Sequence, residues 1–239
     1  MIRSQTSSGV AVLRIDRPRQ RNALDIEHCD ELTRALRAAV ADRARSVVIT
    51  GEGSAFCAGA DLNQVYGEAF MDALYRLLRL IIEIPVPVLA AVNGPAIGAG
   101  TQLAIACDLR VAAPGAAFGI PTARLGLAVD AWTVRRLASL AGGGAARSVL
   151  LGCDTLPADR AYRHGLVDRL GDLRAAVGWA TEIAALAPLT LAYNKLALNT
   201  PDTSDPRLDE AFQACWTSED AREARRARAE SRPPRFEGR

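Results

Sequence analysis

The chain has 239 residues, of which 49% are hydrophobic, and this length allows one sizeable core with a smaller appended element. Its formal net charge of +2 is too small to indicate nucleic-acid binding, and its two histidines and five scattered cysteines favour neither a metal site nor a disulfide framework. No apolar run reaches the roughly 20 residues that span a bilayer, and no early segment has a signal-peptide layout. We therefore expect a cytoplasmic protein.

The first predicted elements are a strand, a loop and a helix. The strand begins at Val10 and ends before Arg17-Pro18. A loop of residues 19–24 follows, and Asp25 is expected to be the N-cap of the next helix. That helix is indicated by apolar residues at helical spacing, Leu32, Leu36 and Val40.

A second strand is predicted at residues 46–50, and it leads into the loop Phe56-Cys57-Ala58-Gly59-Ala60-Asp61-Leu62. Cys57 has no evident histidine to activate it, so we interpret it as a packing residue rather than a nucleophile. The helix after this loop has its apolar residues at positions 70, 74, 77, 78 and 81, and Pro85 and Pro87 should end it.

The central stretch is a short buried strand at residues 88–92, followed by Asn93-Gly94-Pro95-Ala96-Ile97-Gly98-Ala99-Gly100 and then a helical pattern. A strand that passes through glycines onto a helix N-terminus leaves backbone N–H groups unpaired. Two such donor loops on two strand-loop-helix units can meet a carbonyl oxygen that gains negative charge. The pattern therefore predicts a thioester or ester pocket.

Beyond the central stretch, Gly142-Gly143-Gly144 is interpreted as a turn before a helix at residues 145–151. A short helix should then carry His164, which we expect to be a surface or structural residue. From Leu173 onward the pattern is helical and rich in alanine, with breaks at Pro188 and Pro201.

These residues carry a resemblance to the crotonase (enoyl-CoA hydratase/isomerase) superfamily. The segments concerned are residues 55–62, residues 87–108, Arg17-Pro18 with Asn22-Ala23-Leu24, residues 117–121 and residues 232–236. The resemblance implies an α/β crotonase fold, with a spiral core of ββα units over residues 1–187. It also implies a helical oligomerisation segment over residues 188–239, and a homotrimer or a dimer of trimers.

The resemblance further implies a coenzyme A thioester as ligand, with no metal or redox cofactor. The backbone N–H groups of Ala58 and Ala99 would form the oxyanion hole. The loops that would meet the rest of coenzyme A contain Arg21, Ala23, Leu24, Ala60, Asp61 and Leu62. Two alternatives without a role in ligand binding remain: Arg21 could be a solvated loop charge, and Asp61 could cap the next helix.

Two positions bear on the mechanism. Hydratases of this family carry glutamates at the positions that are Gln102 and Thr122 here. Hydration needs one carboxylate to deprotonate water and another to hold or deliver the proton, and neither an amide nor a hydroxyl takes up a proton near neutral pH. The sequence therefore predicts thioester binding without efficient hydration.

Two residues further along leave alternatives open. Asp130 is similar to the acid of dienoyl-CoA isomerases and could move a proton, or it could cap the helix that follows. Trp132 is expected to line the acyl site, or else to pack in the core.

The narrower resemblance is to glutamate-less hydratase-like proteins of mycobacteria and their relatives, which implies binding of fatty acyl-CoA in lipid metabolism. It also implies partners in fatty-acid or mycolic-acid synthesis. The alternative function is an active enoyl- or dienoyl-CoA isomerase, or a residual hydratase, that uses Asp130.

Overall fold

The structure is a computed structural model that describes residues 1–61 and 66–239. Strands and helices alternate along it, which confirms the α/β class. The strands are β1 (Ile2–Ser7), β2 (Val10–Ile15), β3 (Ser46–Gly51), β4 (Val88–Val92), β5 (Ala96–Ile97), β6 (Leu109–Ala112), β7 (Ala117–Gly119), β8 (Leu156–Pro157) and β9 (Arg169–Leu170). The helices are α1 (Ile26–Ala41), α2 (Glu68–Glu83), α3 (Ala99–Ala106), α4 (Ala131–Leu151), α5 (Ala158–Arg163), α6 (Leu173–Ala184), α7 (Pro188–Asn199), α8 (Pro206–Thr217) and α9 (Glu219–Ala229), with short 3-10 helices at Pro18–Gln20 and Thr122–Leu125.

The strands form two sheets. In the described residues the larger sheet has the strand order β1-β2-β3-β4-β6-β9, and the smaller sheet has the order β5-β7-β8. In the larger sheet β1 and β2 pair antiparallel, whereas each later pair of neighbours is parallel. Parallel neighbours need a crossover connection, and α1 and α2 supply the first two.

The central strands of the larger sheet are buried on both faces. Val47 and Ile49 of β3 belong to the main core with α1 and α2, whereas Val48 belongs to a second core that α6 covers. Strands without a wet face become continuous apolar runs in the sequence. This explains why the predicted strands at residues 46–50 and 88–92 are confirmed almost to the residue.

Two predicted helix features are also confirmed. Asp25 caps α1, since its Oδ1 accepts a hydrogen bond from the N–H of His28 at 2.9 Å. The predicted apolar residues of α2 are all buried, and this helix ends at Glu83, just before Pro85. The predicted break at Gly142 is a kink inside α4, where this glycine has φ of 77°.

The last helices and the chain after them form a helical segment. α7 and α8 pack against each other, and the chain beyond α9 turns back along that helix. Arg232 pairs with Glu223 at 2.6 Å, and the N–H groups of Glu237 and Gly238 donate to the Asp220 carboxylate at 2.7 and 2.9 Å. The tail is therefore fixed to α9 by charged contacts.

Across residues 1–61 and 66–239, no single helix combines the length and hydropathy needed to cross a membrane. The pair α6 and α7, bent by 110°, meets that requirement by length and composition only when its two helices are taken together.

Candidate functional site

Two loops meet at one edge of the larger sheet. One of them follows β3 and runs to Asp61, and the other follows β4 and runs to Gly98. Because β3 and β4 are parallel neighbours, both chains leave the sheet at the same edge. The N–H of Cys57 donates to Pro95 O at 3.2 Å and the N–H of Ile97 donates to Cys57 O at 2.9 Å, so the loops are joined directly.

The close contact between the loops requires glycine at two positions. A Cβ atom on Gly94 would lie 2.1 Å from the carbonyl oxygen of Ser54, and one on Gly100 would lie 2.0 Å from that of Cys57. Both distances are far below van der Waals contact with backbone atoms that cannot move independently. Any side chain here would push the loops apart.

The prediction of Ala58 as the first oxyanion donor is wrong. The N–H of Ala58 donates to the carbonyl oxygen of Arg21 at 3.0 Å. It is therefore already used to hold the loop after β3 against the loop before α1. Successive peptide groups of an extended segment point to opposite sides, and which of them is free depends on the chain that pairs with it. That partner here is the distant segment around Leu24.

The available donor on this loop is Ala60. Its neighbours pair with Leu24, because the N–H of Leu24 donates to Gly59 O at 2.8 Å and the N–H of Asp61 donates to Leu24 O at 2.7 Å. The N–H of Ala60 therefore points away from Leu24. Among the described residues it has no acceptor, and Ala60 lines a cavity.

The second donor is Ala99, directly after the other loop. This residue is the first of α3, so its N–H has no acceptor within the helix, and none of the described residues supplies one. Gly98 precedes it with φ of 54°, a conformation that favours glycine, and its own N–H donates to Gly119 O at 2.7 Å. Ala99 lines the same cavity as Ala60.

A cavity of about 140 Å³ lies in front of these two N–H groups. Its apolar walls include Phe70, Met71, Leu74, Ile97, Leu125, Leu127 and Val129. Among its described lining residues, the polar side chains are those of Tyr75, Gln102 and Thr122, and no carboxylate is present. The undescribed residues 62–65 read Leu-Asn-Gln-Val and so contain no acidic residue either.

The two positions singled out for the mechanism both line this cavity. Gln102 lies one turn after Ala99 on α3, is only 4% exposed, and donates from Nε2 to Thr133 Oγ1 at 3.0 Å. Thr122 begins a 3-10 helix on another side of the cavity. An amide and a hydroxyl thus face the space in front of the two backbone donors.

The structure gives Asp130 a structural role. Asp130 is the N-cap of α4, and its Oδ1 accepts from the N–H of Thr133 at 3.0 Å, which confirms the capping alternative. Its carboxylate is not among the groups that line the described cavity.

The structure places Trp132 outside the lining of this cavity. This residue is half-buried against the main core and faces a separate groove between the end of α2 and the helices α7 and α8. Consecutive residues on a helix point about 100° apart, so a residue next to a site can face another surface.

The residues predicted to meet the rest of coenzyme A mainly organise the loops. The backbone groups of Ala23 and Leu24 already form hydrogen bonds. The N–H of Ala23 donates to Gln20 O, and its carbonyl oxygen accepts from Arg17. The N–H and the carbonyl oxygen of Leu24 bond to the loop after β3. In this structure these groups hold the neighbouring loops together, and contact of Ala23 and Leu24 with coenzyme A stays a prediction. Arg21 is exposed, with φ of 49°, and its carbonyl holds Ala58.

Arg17 connects the two acidic residues of these loops. Its guanidinium lies 3.0 Å from the Asp61 carboxylate and 3.1 Å from that of Asp25, so it ties the loop before α1 to the loop after β3. Asp61 is therefore an ion-pair partner. The next helix that the structure describes, α2, has Gly67 as its N-cap, so Asp61 does not cap it. The predicted site residue Leu62 lies outside the described residues.

The cysteines differ sharply in their environment. Burial raises the pKa of the thiols of Cys29, Cys57 and Cys107 to about 12 in each case. These thiols stay protonated near neutral pH, which argues against a nucleophilic Cys57. Cys153 and Cys215 are partly exposed.

We expect only Cys153 and Cys215 to react with a thiol reagent such as DTNB while the protein is folded. The three buried thiols should react only after denaturant is added. Counting the released chromophore before and after unfolding tests this, and the double variant Cys153→Ser/Cys215→Ser should show no fast phase. A third fast-reacting thiol in the folded protein would contradict it.

Sequence reasoning missed Tyr75 and Thr133. Tyr75 lies on α2 among the apolar residues and lines the cavity, and Thr133 is fully buried behind Gln102. An aromatic residue with a polar tip beside a core-facing stripe was the only available signal for Tyr75. Thr133 gave no signal, because its contact with α3 is purely tertiary.

The comparison with protein families gives a match over nearly the whole chain. The model described as "Enoyl-CoA hydratase/isomerase" matches residues 5–239. A mycobacterial relative, described as "Probable enoyl-CoA hydratase echA6" from Mycobacterium bovis, is 46% identical and covers 100% of both chains. The short-chain-enoyl-CoA hydratase of Clostridium acetobutylicum is 33% identical, with 93% of this chain and 92% of its own covered.

The solved structures agree with the sequence comparisons. The crystal structure of enoyl-CoA hydratase from Bacillus anthracis superposes with a TM-score of 0.90 at 29% identity, covering 100% of this chain and 99% of that one. This confirms the predicted crotonase fold. The chain belongs to the enoyl-CoA hydratase/isomerase (crotonase) family.

Proposed function

We propose that this protein binds the thioester group of a fatty acyl-CoA through the backbone N–H groups of Ala60 and Ala99, and that it does not hydrate 2-enoyl-CoA efficiently. One observation carries the proposal. Two N–H groups without an acceptor among the described residues, one on the loop after β3 and one at the start of α3, belong to residues that line one cavity, and its described lining residues include no carboxylate. Such donors hold a carbonyl oxygen in the bound ligand as well as in a transition state.

The electrostatics of the cavity support binding rather than turnover. The N-terminus of α3 places its partial positive charge beside Ala99, where a thioester oxygen would lie. General acid–base catalysis needs a group that can accept a proton near neutral pH, and Gln102 and Thr122 cannot. With Asp130 engaged as a helix cap, no observation favours the isomerase alternative.

Isothermal titration with acyl-CoA esters of increasing chain length, beside a spectrophotometric 2-enoyl-CoA hydration assay, tests the proposal. We expect saturable binding without hydration. Absence of binding, or hydration at the rate of an ordinary enzyme, would overturn it.

The variant Ala99→Pro removes one donor with little harm to the helix. Ala99 occupies the first helical position, where proline is favoured because the N–H has no partner in the helix. Loss of this hydrogen bond should weaken acyl-CoA binding by about 10-fold or more. Titration calorimetry measures the change.

The matched control is Ala131→Pro. Ala131 is the exposed first residue of α4 and has no contact with the cavity, so acyl-CoA binding should be unchanged. Equal binding by both proline variants and the parent chain would show that Ala99 does not hold the ligand.

The finer assignments belong to the same proposal. The ligand would be a coenzyme A thioester of lipid metabolism in the cytoplasm, with partners in fatty-acid or mycolic-acid synthesis. Residues 188–239 would form the oligomerisation segment of a trimer or a dimer of trimers, beyond a core of residues 1–187. In support, α7 and α8 expose Leu198, Phe212 and Trp216, and apolar surface of this kind is common at subunit contacts. Sedimentation analysis would determine the oligomeric state.

A further inference from the structure

A charged groove lies on the surface between α1 and α2, which pack against each other. Its volume is about 490 Å³. The charged side chains that line it are those of Asp30, Arg34, Arg37, Arg76, Arg79 and Glu83. Because four arginines face two acids, this arginine groove is positively charged near neutral pH.

Three of the four arginines have no partner within the chain. Arg76 lies 3.5 Å from the Asp30 carboxylate. Arg34, Arg37 and Arg79 are exposed, and in the part of the chain that the structure describes their guanidinium groups have neither an ion-pair partner nor a hydrogen-bond acceptor. Like charges at neighbouring positions repel one another, so the cluster does not stabilise the fold by itself.

The arginines of α9 show the more common arrangement. Arg222 and Arg226 pair with Glu219 and Glu223 one turn earlier on the same helix, which makes a solvated face that needs no further partner. The arginine groove lacks such partners for three of its cations. An anion that binds there gains attraction without displacing an existing ion pair.

The arginine groove lies on the same stripe of α2 as the proposed acyl site. Met71 and Tyr75 line the cavity, and Arg79 lines the groove. These residues are four positions apart, so they follow one another along one face of the helix. Eight residues of helix rise about 12 Å, so the groove lies about that far from the edge of the cavity at Met71.

The lining of the groove favours a protein partner over a membrane or a nucleic acid. Leu80 is the one apolar side chain among the described lining residues and is half-buried, so none is placed to insert into a bilayer. Those residues also include no aromatic ring that could stack on a base. Planar guanidinium groups bind carboxylates through two parallel hydrogen bonds, so an acidic protein segment fits the space between the two helices.

From this arrangement we propose that the arginine groove docks an acidic carrier protein that presents the fatty acyl group as a thioester on a pantetheine arm. The proposal rests on the proposed function, since the thioester must still be held by Ala60 and Ala99. Coenzyme A and such a carrier end in the same pantetheine thiol, so one pair of backbone donors serves both. The short distance to the cavity favours a carrier over other acidic proteins, because the arm of a carrier docked there can reach the acyl site.

Titration calorimetry with the host's own acyl carrier protein charged with octanoate, beside octanoyl-CoA, tests the proposal. The double variant Arg37→Glu/Arg79→Glu reverses the charge of the groove, which then has two arginines against four acids. We expect the octanoyl carrier to bind the parent chain saturably and the variant about 10-fold more weakly, with a smaller difference at high salt. Binding of octanoyl-CoA should be unchanged, which would show that the variant is folded with its cavity intact.

The matched control is Arg160→Glu/Arg174→Glu, on α5 and α6. Both residues are exposed, and this double variant changes the net charge of the chain by the same amount. It should bind the octanoyl carrier as the parent chain does. An equal loss in the control would mean that net charge alone attracts the carrier, and would overturn the proposal.

The remaining outcomes separate the docking surface from the proposed function. Octanoyl-CoA binding without carrier binding, or carrier binding that survives the charge reversal, would overturn the proposal and leave the proposed function intact. If phosphatidylglycerol vesicles bind the parent chain but not the variant, and the carrier does not bind, the groove serves a membrane and the proposal is wrong. Failure of both esters to bind would overturn the proposed function itself.

Discussion

A double variant with glutamate at both Gln102 and Thr122 should hydrate 2-enoyl-CoA, whereas the parent chain should show no efficient hydration. Both side chains line the cavity that the Ala60 and Ala99 donors face, so both carboxylates would be near a bound thioester. A positioned acid or base typically contributes about 10²–10⁴ in rate. Because the two groups act together, we expect a gain of about 10²-fold or more in kcat/KM chiefly in the double variant.

The local structure should accept both changes. Glutamate has nearly the shape of glutamine, and Thr133 Oγ1, which now accepts from Gln102 Nε2 at 3.0 Å, can rotate its hydrogen to donate to a carboxylate. Thr122 is only partly buried, so the longer side chain has room. The variant should therefore fold and still bind acyl-CoA.

The single variants and the isosteric pair Gln102→Met/Thr122→Val are the controls, and none of them should gain hydration. Following the loss of the conjugated enoyl absorbance gives the rate. If the double variant binds octanoyl-CoA but adds no water, the missing carboxylates are not what limits this protein. If the parent chain hydrates 2-enoyl-CoA as fast as the double variant, binding without turnover is the wrong function.

The sequence was sufficient for the parts of the site that local patterns determine. The buried strands at residues 46–50 and 88–92 are continuous apolar runs. The glycines around Ala99 indicate a helix start, where backbone N–H groups have no acceptor within the helix. The cap of α1 at Asp25 follows from the same kind of local rule. Each of these features depends on residues within a few positions of one another.

The sequence was insufficient at residues whose role depends on contacts between segments that are distant in the chain. Ala58 and Ala60 are equally plausible donors by sequence, and only the pairing of this loop with Leu24 makes one of them available. Trp132 and Thr133 are adjacent in sequence, yet Thr133 supports Gln102 while Trp132 faces another groove. The rotation of α4 about its own axis sets this difference, and that rotation comes from tertiary packing.

A second large effect is expected far from the cavity, at Lys195 of α7. Its side chain is 5% exposed, and its ammonium group pairs with the Asp108 carboxylate at 2.7 Å and donates to Val86 O at 2.9 Å. This pair attaches α7 to the strands at the centre of the larger sheet. Removing one member of a buried pair leaves the other charge without a partner, which costs about 3–5 kcal/mol.

Lys195→Met should therefore lower the free energy of unfolding by about 3 kcal/mol, at the lower end of that range because the Asp108 side chain keeps some solvent contact. Denaturant titration followed by circular dichroism measures it. Arg207→Met is the control, since Arg207 is an exposed residue paired with Asp205 two positions away, and its loss should lower the free energy of unfolding far less than the loss of Lys195.

The loss of unfolding free energy in Lys195→Met, called the deficit below, should become smaller as the pH falls. Burial raises the pKa of Asp108 above its ordinary value of 3.8, and the loss of the Lys195 charge removes the main influence that opposes this rise. Above the raised pKa the folded variant must hold an unpaired carboxylate that the unfolded chain would leave in water. As the pH falls through the raised pKa the carboxylate takes up a proton, so the deficit should be smaller near pH 5 than near pH 7.5.

The double variant Lys195→Met/Asp108→Asn separates lost charge pairing from lost packing. Asparagine keeps an acceptor for the N–H of Val88, which now donates to Asp108 at 2.8 Å, but carries no charge. We expect the double variant to recover part of the stability and to lose the pH dependence, which gives a measurable coupling between the two sites. If the two losses simply add and the pH dependence persists, the contact of α7 with the sheet does not depend on this ion pair.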